Sequence, residues 1–413
     1  MGKKKILYYT DCPFFAGCEN MIANFFNSEE LSNEYDIVLV YRYSKRYEDG
    51  AKTRMNLDRA IPVNLIVEPV RDDIVKSTNS FIRLIQKIYW FALLWFTKYY
   101  SINQNTKLLT RVFYQEKPDI IHINNGGYPA ATSCYAAVLA ARKCGVNKVV
   151  YVVNNMAADY KHPLRWFDMR LDEVVKNTVT YFINGSNNAG LRLKEVLKLP
   201  DSQQVTIRNG IIPRKVTMNR EEFRKEYVID NEIYVFAEVA NLEERKGHRV
   251  LLQAVLKMIE GGCHKDFIVL LEGNGPLRSE IASFIRDNNL STCVRMIEVD
   301  QIYNLYNAID CLVLPSLRNE DFPNTIIEAM GMGVPVIGTS IAGIPEQIDD
   351  HVTGLLINPN DVCALAKAMT DMCSDDELYN FCSKNAKNKF ERNYTAEISV
   401  KNYMDLYLSM ISQ

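Results

Sequence analysis

The sequence has no Asp-x-Asp triplet, no Cys-x-x-Cys pair and no His-Glu-x-x-His, and its five histidines are scattered. Three familiar ways of holding a divalent metal are therefore missing from its linear pattern. Its ten cysteines follow no regular spacing. That argues against a disulfide framework and suits a reducing compartment, where thiols serve as small apolar side chains. An excess of either charge is also missing. With 48 basic and 50 acidic residues the formal net charge is −2, a poor match for nucleic acid as a partner. The most apolar stretch, residues 81–100, is interrupted by Arg83, Lys87 and Lys98. It falls short of the ~20 apolar residues that a membrane span requires. The opening run, three lysines and then an apolar stretch ending before Asp11, is too short for a signal peptide and reads as a first β-strand.

What is present is material for two packed domains: 413 residues, 47% hydrophobic and 24% charged. Short apolar runs at 6–10, 36–41, 63–67, 119–124 and 148–153 have strand length, with helical patterns at 19–27, 106–115 and 130–144 between them. The second half repeats the theme, with strands predicted at 233–240, 266–272, 294–297, 311–315 and 335–338. Helices at 249–260, 277–287, 301–307 and 325–330 separate them. This alternation predicts an α/β protein of two Rossmann-like units. The segment 208–213, with an Asn-Gly turn and Pro213, is the linker. The domains expected are 1–210 and 211–395.

The most informative run is 316–336, in which Glu320 and Glu328 are separated by seven residues. The pattern places Glu320 on a strand-to-helix loop and Glu328 inside the helix. Backbone N–H groups at Asn324 and Thr325 would then form a helix N-terminus that favours an anion. Two carboxylates beside a phosphate site suit a sugar nucleotide, because they can accept hydrogen bonds from hexose and ribose hydroxyls.

This run, Glu-x-Phe-x5-Glu-Ala-Met-x-x-Gly-x-Pro-Val, is followed by Ala342-Gly343-Ile-Pro-Glu346 and Val352-Thr-Gly354. It resembles the C-terminal signature of retaining GT-B glycosyltransferases of family 4, the glycosyl transferases group 1. Further matches are Ala16-Gly17-Cys-Glu19, Arg208-Asn-Gly210, Lys246-Gly247, Gly273-Asn-Gly275-Pro276 and 310–316. The likeness is specific from about 205 to 360.

The resemblance implies a GT-B fold with two Rossmann-like domains facing a cleft, the first on the acceptor side and the second binding the donor. The last helix, about 396–412, would pack back on the first domain. It implies transfer of a hexose-type sugar from a nucleoside diphosphate, UDP favoured over GDP, to a hydroxyl acceptor with retention of configuration. The acceptor expected is a glycan or lipid-linked glycan in polysaccharide assembly, at the cytoplasmic face of a membrane. No metal or other cofactor is expected.

By the same resemblance Glu320 orients the donor sugar and stabilises charge at its ring. Glu328 holds the ribose, and Lys246 stabilises the leaving diphosphate. The usual Arg five residues before that Lys is Asn241 here, with Arg245 as the nearby basic residue. Gly17 lies beside the pyrophosphate and Gly275 lines the nucleotide side. Backbone near Ile297 and Glu298 meets the base. Asn154 stands where many relatives carry a His that reaches the transferred sugar. His122 reads as a satisfied structural histidine. Two readings of 81–100 stay open, an interfacial helix on an anionic membrane and a buried core helix. Two other functions do also: a sugar-nucleotide epimerase of the same architecture, and a non-catalytic sugar-nucleotide-binding protein.

Overall fold

The computed structural model describes residues 2–15, 17–68, 74, 79–161, 163–263 and 265–412. Ala16, named in the sequence patterns, and two of the five histidines, His162 and His264, lie outside them. Backbone contacts divide the chain into two compact units. The first comprises Met1–Asn184, Ala189–Ile207 and Val400–Gln413, and the second Gly185–Asn188 and Arg208–Ser399.

The first unit is built on seven parallel strands: β1 (Lys4–Thr10), β2 (Tyr35–Arg42), β3 (Ala60–Val63), β4 (Ile120–Asn125), β5 (Val149–Val153), β6 (Tyr181–Asn184) and β7 (Gln204–Thr206). Their spatial order is β3-β2-β1-β4-β5-β6-β7. Strands of such a sheet are apolar on both faces because helices cover both. β1 shows it: Leu7 and Tyr9 enter one core while Ile6 and Tyr8 enter the other. His122 lies in the second of these cores, its Nδ1 2.6 Å from the Tyr407 hydroxyl, and burial pushes its pKa down to about 3. It is the satisfied structural histidine that the pattern suggested.

The second unit has six parallel strands: β8 (Tyr234–Val239), β9 (Phe267–Glu272), β10 (Val294–Ile297), β11 (Cys311–Leu314), β12 (Val336–Thr339) and β13 (Gly354–Ile357). Their order is β10-β9-β8-β11-β12-β13. Connections from β8 run one way along the sheet and those from β11 the other, so the crevice outside their carboxyl ends is a topological switch point, where open α/β sheets bind ligands.

Several expectations are corrected. The third strand is Ala60–Val63, not 63–67; Pro62 is tolerated because β3 is an edge strand and its missing N–H breaks no central ladder. The first unit ends at Ile207, three residues before the expected 210, and leaves out 185–188. Asp321 accepts hydrogen bonds from the Gly185 N–H (3.1 Å) and the Ser186 hydroxyl (2.6 Å), while Glu346 accepts the N–H groups of Asn187 (3.0 Å) and Asn188 (2.9 Å). These bonds assign 185–188 to the second unit.

The stretch 81–100 is no core helix. It opens a 37-residue helix, Ser80–Glu116, that is buried only from Ser101 onward, at Ile102, Leu109 and Phe113. Phe81 is 71% exposed, Ile88 62% and Phe96 68%. Among the described residues no helix is long and apolar enough to cross a membrane.

Candidate functional site

The loop leaving β8 carries Asn241, Arg245 and Lys246; the loop leaving β11 carries Ser316 and Glu320. The switch point brings these loops together, although 74 residues separate Lys246 from Glu320 in sequence. Glu320 is buried, and three donors converge on its Oε1: Lys246 Nζ at 2.5 Å, Ser316 Oγ at 2.9 Å and an Arg245 guanidinium nitrogen at 3.3 Å. Oε2 has no protein partner among the described residues. Two cations thus share one largely desolvated carboxylate, and an incoming anion can draw on both.

Arg245 also donates to Glu243 (2.8 Å) and to the Asn319 carbonyl (3.3 Å), which holds its guanidinium on the Glu320 loop. The side chain at Asn241 is neutral and exposed, so the second positive charge of this site comes from Arg245.

The path between Lys246 and the following helix, His248–Glu260, turns at Gly247, whose φ is +86°. A Cβ there would lie 2.0 Å from the Pro315 carbonyl oxygen, so only glycine lets the β8 loop press against the end of β11. Gly275 has the same reason for being glycine: its Cβ would meet the Leu242 backbone at 2.6 Å. Leu242 also donates its N–H to the Asn274 carbonyl (3.0 Å), so the loops after β8 and β9 form one surface.

The helix Asn324–Gly331 begins after Pro323 with no side chain capping its first turn. Asn324 and Thr325 are half-buried at that start, and Asn324 Oδ1 accepts from Asn209 (3.0 Å). Glu328, four residues on, is buried and accepts the Tyr306 hydroxyl at 3.0 Å. Burial raises its pKa, while the Tyr306 hydrogen bond and the charge of Arg214 pull it down. At the end of the edge strand β10 Ile297 is buried; the Glu298 carbonyl, expected near a base, already accepts the Tyr227 hydroxyl at 3.0 Å.

Gly17 and Asn154 belong to the first unit. Gly17 is exposed on the loop between β1 and the helix Glu19–Asn27, its carbonyl accepting the Asn20 N–H at 3.2 Å. Glu19, not singled out as a functional residue from sequence, is wholly buried and accepts Thr10 (2.8 Å), Tyr47 (2.7 Å) and Asn124 (3.0 Å). Asn154 Nδ2 in turn donates to Asn124 Oδ1 (2.7 Å) and the Asn125 carbonyl (3.0 Å). Both its N–H bonds are spent within the protein, so toward a ligand it can accept but not donate.

Residues 219–389 match the family model described as Glycosyl transferases group 1. The UDP-Gal:alpha-D-GlcNAc-diphosphoundecaprenol alpha-1,3-galactosyltransferase of Escherichia coli is 26% identical over 73% of this chain and 78% of its own length. A glycosyltransferase structure from Rickettsia africae ESF-5 aligns over 100% of this chain and 99% of that one, with TM-score 0.74 and 19% identity. Anabaena Alr3699/HepE, solved with UDP, aligns over 98% and 100%, with TM-score 0.75 and 14% identity. The fold is the GT-B architecture.

Proposed function

We propose that this chain, whose residues 219–389 form a glycosyl transferases group 1 domain, is a metal-independent retaining hexosyltransferase that uses a UDP-sugar donor. The convergence of Lys246 and Arg245 on Glu320 at the β8/β11 switch point carries the reading. A diphosphate entering there draws both cations from the carboxylate, and Glu320 turns to the sugar hydroxyls. Developing negative charge on the leaving diphosphate is then met by charges already in place, which is where such sites gain most of their rate. The start of the helix Asn324–Gly331 adds backbone N–H groups to the same phosphates. In the front-face course that the family resemblance implies, a leaving phosphate oxygen takes the acceptor proton as the sugar transfers with retention. UDP is favoured because the E. coli relative is named for a UDP-sugar and the Anabaena structure holds UDP.

A panel of UDP- and GDP-sugars read by thermal shift tests the donor class. The cognate donor at a hundred times its dissociation constant stabilises by about 2.7 kcal/mol. Glu328→Ala should shrink that shift by weakening the hold on the ribose; an equal shift in the variant rejects the ribose assignment. Release of nucleotide only when an acceptor is added separates transfer from epimerisation.

Activity is expected to survive exhaustive EDTA treatment, since lysine, arginine and a helix start supply the positive charge. Activity lost to chelation and restored by magnesium or manganese would overturn the assignment of phosphate chemistry to these groups.

The acceptor reading is a lipid-linked glycan, with the first half of the helix Ser80–Glu116 resting on an anionic membrane. Its exposed Phe81, Leu84, Ile88 and Phe96 supply apolar contact, and exposed Arg83 and Lys87 supply charge. Lys98 does not contribute, because it is paired with Asp168. Wild type should float with anionic liposomes and an Ile88→Ser/Phe96→Ser variant should stay at the bottom of the gradient. If both float, or neither does, the helix is not the membrane contact.

A further inference from the structure

We propose that Glu238 and His248 form a closed, uncharged hydrogen-bonded pair that holds the turn carrying Lys246, making both positioning residues for the donor diphosphate. The inference rests on the assignment of Lys246 to that diphosphate. Along β8 the side chains alternate, and Tyr234 and Phe236 pack into the core shared with Val250, Leu251 and Ala254 of the helix His248–Glu260. Glu238 is next on that face, 0% exposed, where the pattern calls for another apolar residue. His248, 2% exposed, is the first residue of the helix and directly follows Gly247.

The Glu238 Oε1 to His248 Nε2 distance is 3.5 Å, neither carboxylate oxygen has a partner in hydrogen-bonding geometry, and the imidazole has only the Glu243 backbone close by. Buried polar atoms left unpaired would cost several kcal/mol, so a small rotation that joins Oε1 to Nε2 is strongly favoured. Burial lifts the Glu238 carboxyl well above the usual range against the pull of the Lys246 charge. Burial likewise lowers His248 to about 4, opposed by the Glu243 backbone and aided by Lys246. Both groups therefore arrive at the same state, a protonated acid donating to a neutral imidazole.

That state has a consequence for the site. An ionised Glu238 would compete with phosphate for Lys246, whereas the neutral acid leaves the ammonium's charge intact. The turn itself is then fixed on both sides of Gly247: Lys246 ends on Glu320, His248 on Glu238. When a diphosphate takes Lys246 from Glu320, the second anchor is the one that remains.

The test is UDP affinity measured by titration calorimetry on the full chain, for wild type, Glu238→Gln, Glu238→Leu, Lys246→Ala and Glu238→Leu/Lys246→Ala. Glutamine can donate to Nε2 as the acid does, so Glu238→Gln should bind UDP within about twofold of wild type, and Glu238→Leu about tenfold more weakly. In the Lys246→Ala background Glu238→Leu should cost nothing further, a non-additivity that a purely structural residue would not produce. Equal losses in both backgrounds, or a Gln variant as impaired as the Leu variant, would overturn the pair. If Lys246→Ala binds UDP like wild type, it is the diphosphate assignment that fails. Should Glu238→Leu not fold, the infrared difference between wild type and Glu238→Gln at neutral pH decides. A protonated-carboxyl band is expected, and its absence refutes the uncharged pair.

Discussion

Lys246→Ala should lower turnover about a hundredfold or more while the protein stays folded. Loss of one preorganised charge contact in a closed site is commonly worth about 3 kcal/mol in the transition state. Lys246 has that character: its side chain is 12% exposed and its nitrogen is already aimed at the site by Glu320. The fold should survive because Glu320 keeps Ser316 and Arg245 as partners when the lysine is removed. Glu320→Gln should be equally damaging for a different reason, since the amide retains the shape but cannot balance positive charge at a sugar ring. Steady-state turnover with circular dichroism on each purified variant checks both. Near-normal turnover by either would remove that residue from the mechanism.

The second large effect is expected from a single methyl group. In Gly247→Ala the new carbon would sit 2.0 Å from a backbone oxygen and 2.9 Å from a backbone carbon of Pro315, neither of which can swing aside as a side chain would. A left-handed backbone adds about 1–2 kcal/mol for a residue bearing a Cβ. The melting temperature should therefore fall by about 5 °C or more. Turnover should fall with it, because relieving the clash separates the loop of Lys246 from the loop of Glu320. A variant with an unchanged melting curve would mean that these two loops are not packed as described.

The central strands were legible because a sheet covered on both faces needs nearly continuous apolar runs, and β1, β4, β5, β8 and β9 have them. Tyr181–Asn184 and Gly354–Ile357 were missed: four-residue strands flanked by Asn, Gly and Ser look like any loop with a few apolar residues. Over the first half of the helix Ser80–Glu116 the pattern leaves two readings open, since periodicity measures apolar content and not what covers it.

In the candidate site, Lys246, Glu320 and Glu328 could be read from spacing and family likeness. Their partners could not. That Lys246 meets Glu320 follows from strand order, and that Glu328 meets Tyr306 follows from how two helices pack, neither of which a local pattern encodes. Glu238 and His248 were passed over because a lone acid in a strand and a lone histidine at a helix start each look unremarkable; only their shared burial singles them out.

The division of the chain carries a consequence for how the protein is made. Residues 400–412 belong to the first unit, where Tyr407 reaches His122 and Tyr8 (3.3 Å) and where Val400 and Tyr403 complete the same core. A ribosome delivers them only after the whole of the second unit. Until then the part of one sheet face around Tyr8 and His122 stays incompletely covered, so its completion waits on contacts far apart in sequence, a situation that slows folding and invites aggregation. The second unit, nearly contiguous from Arg208 to Ser399, can close before the first is finished. Order of synthesis and order of completion thus run in opposite directions.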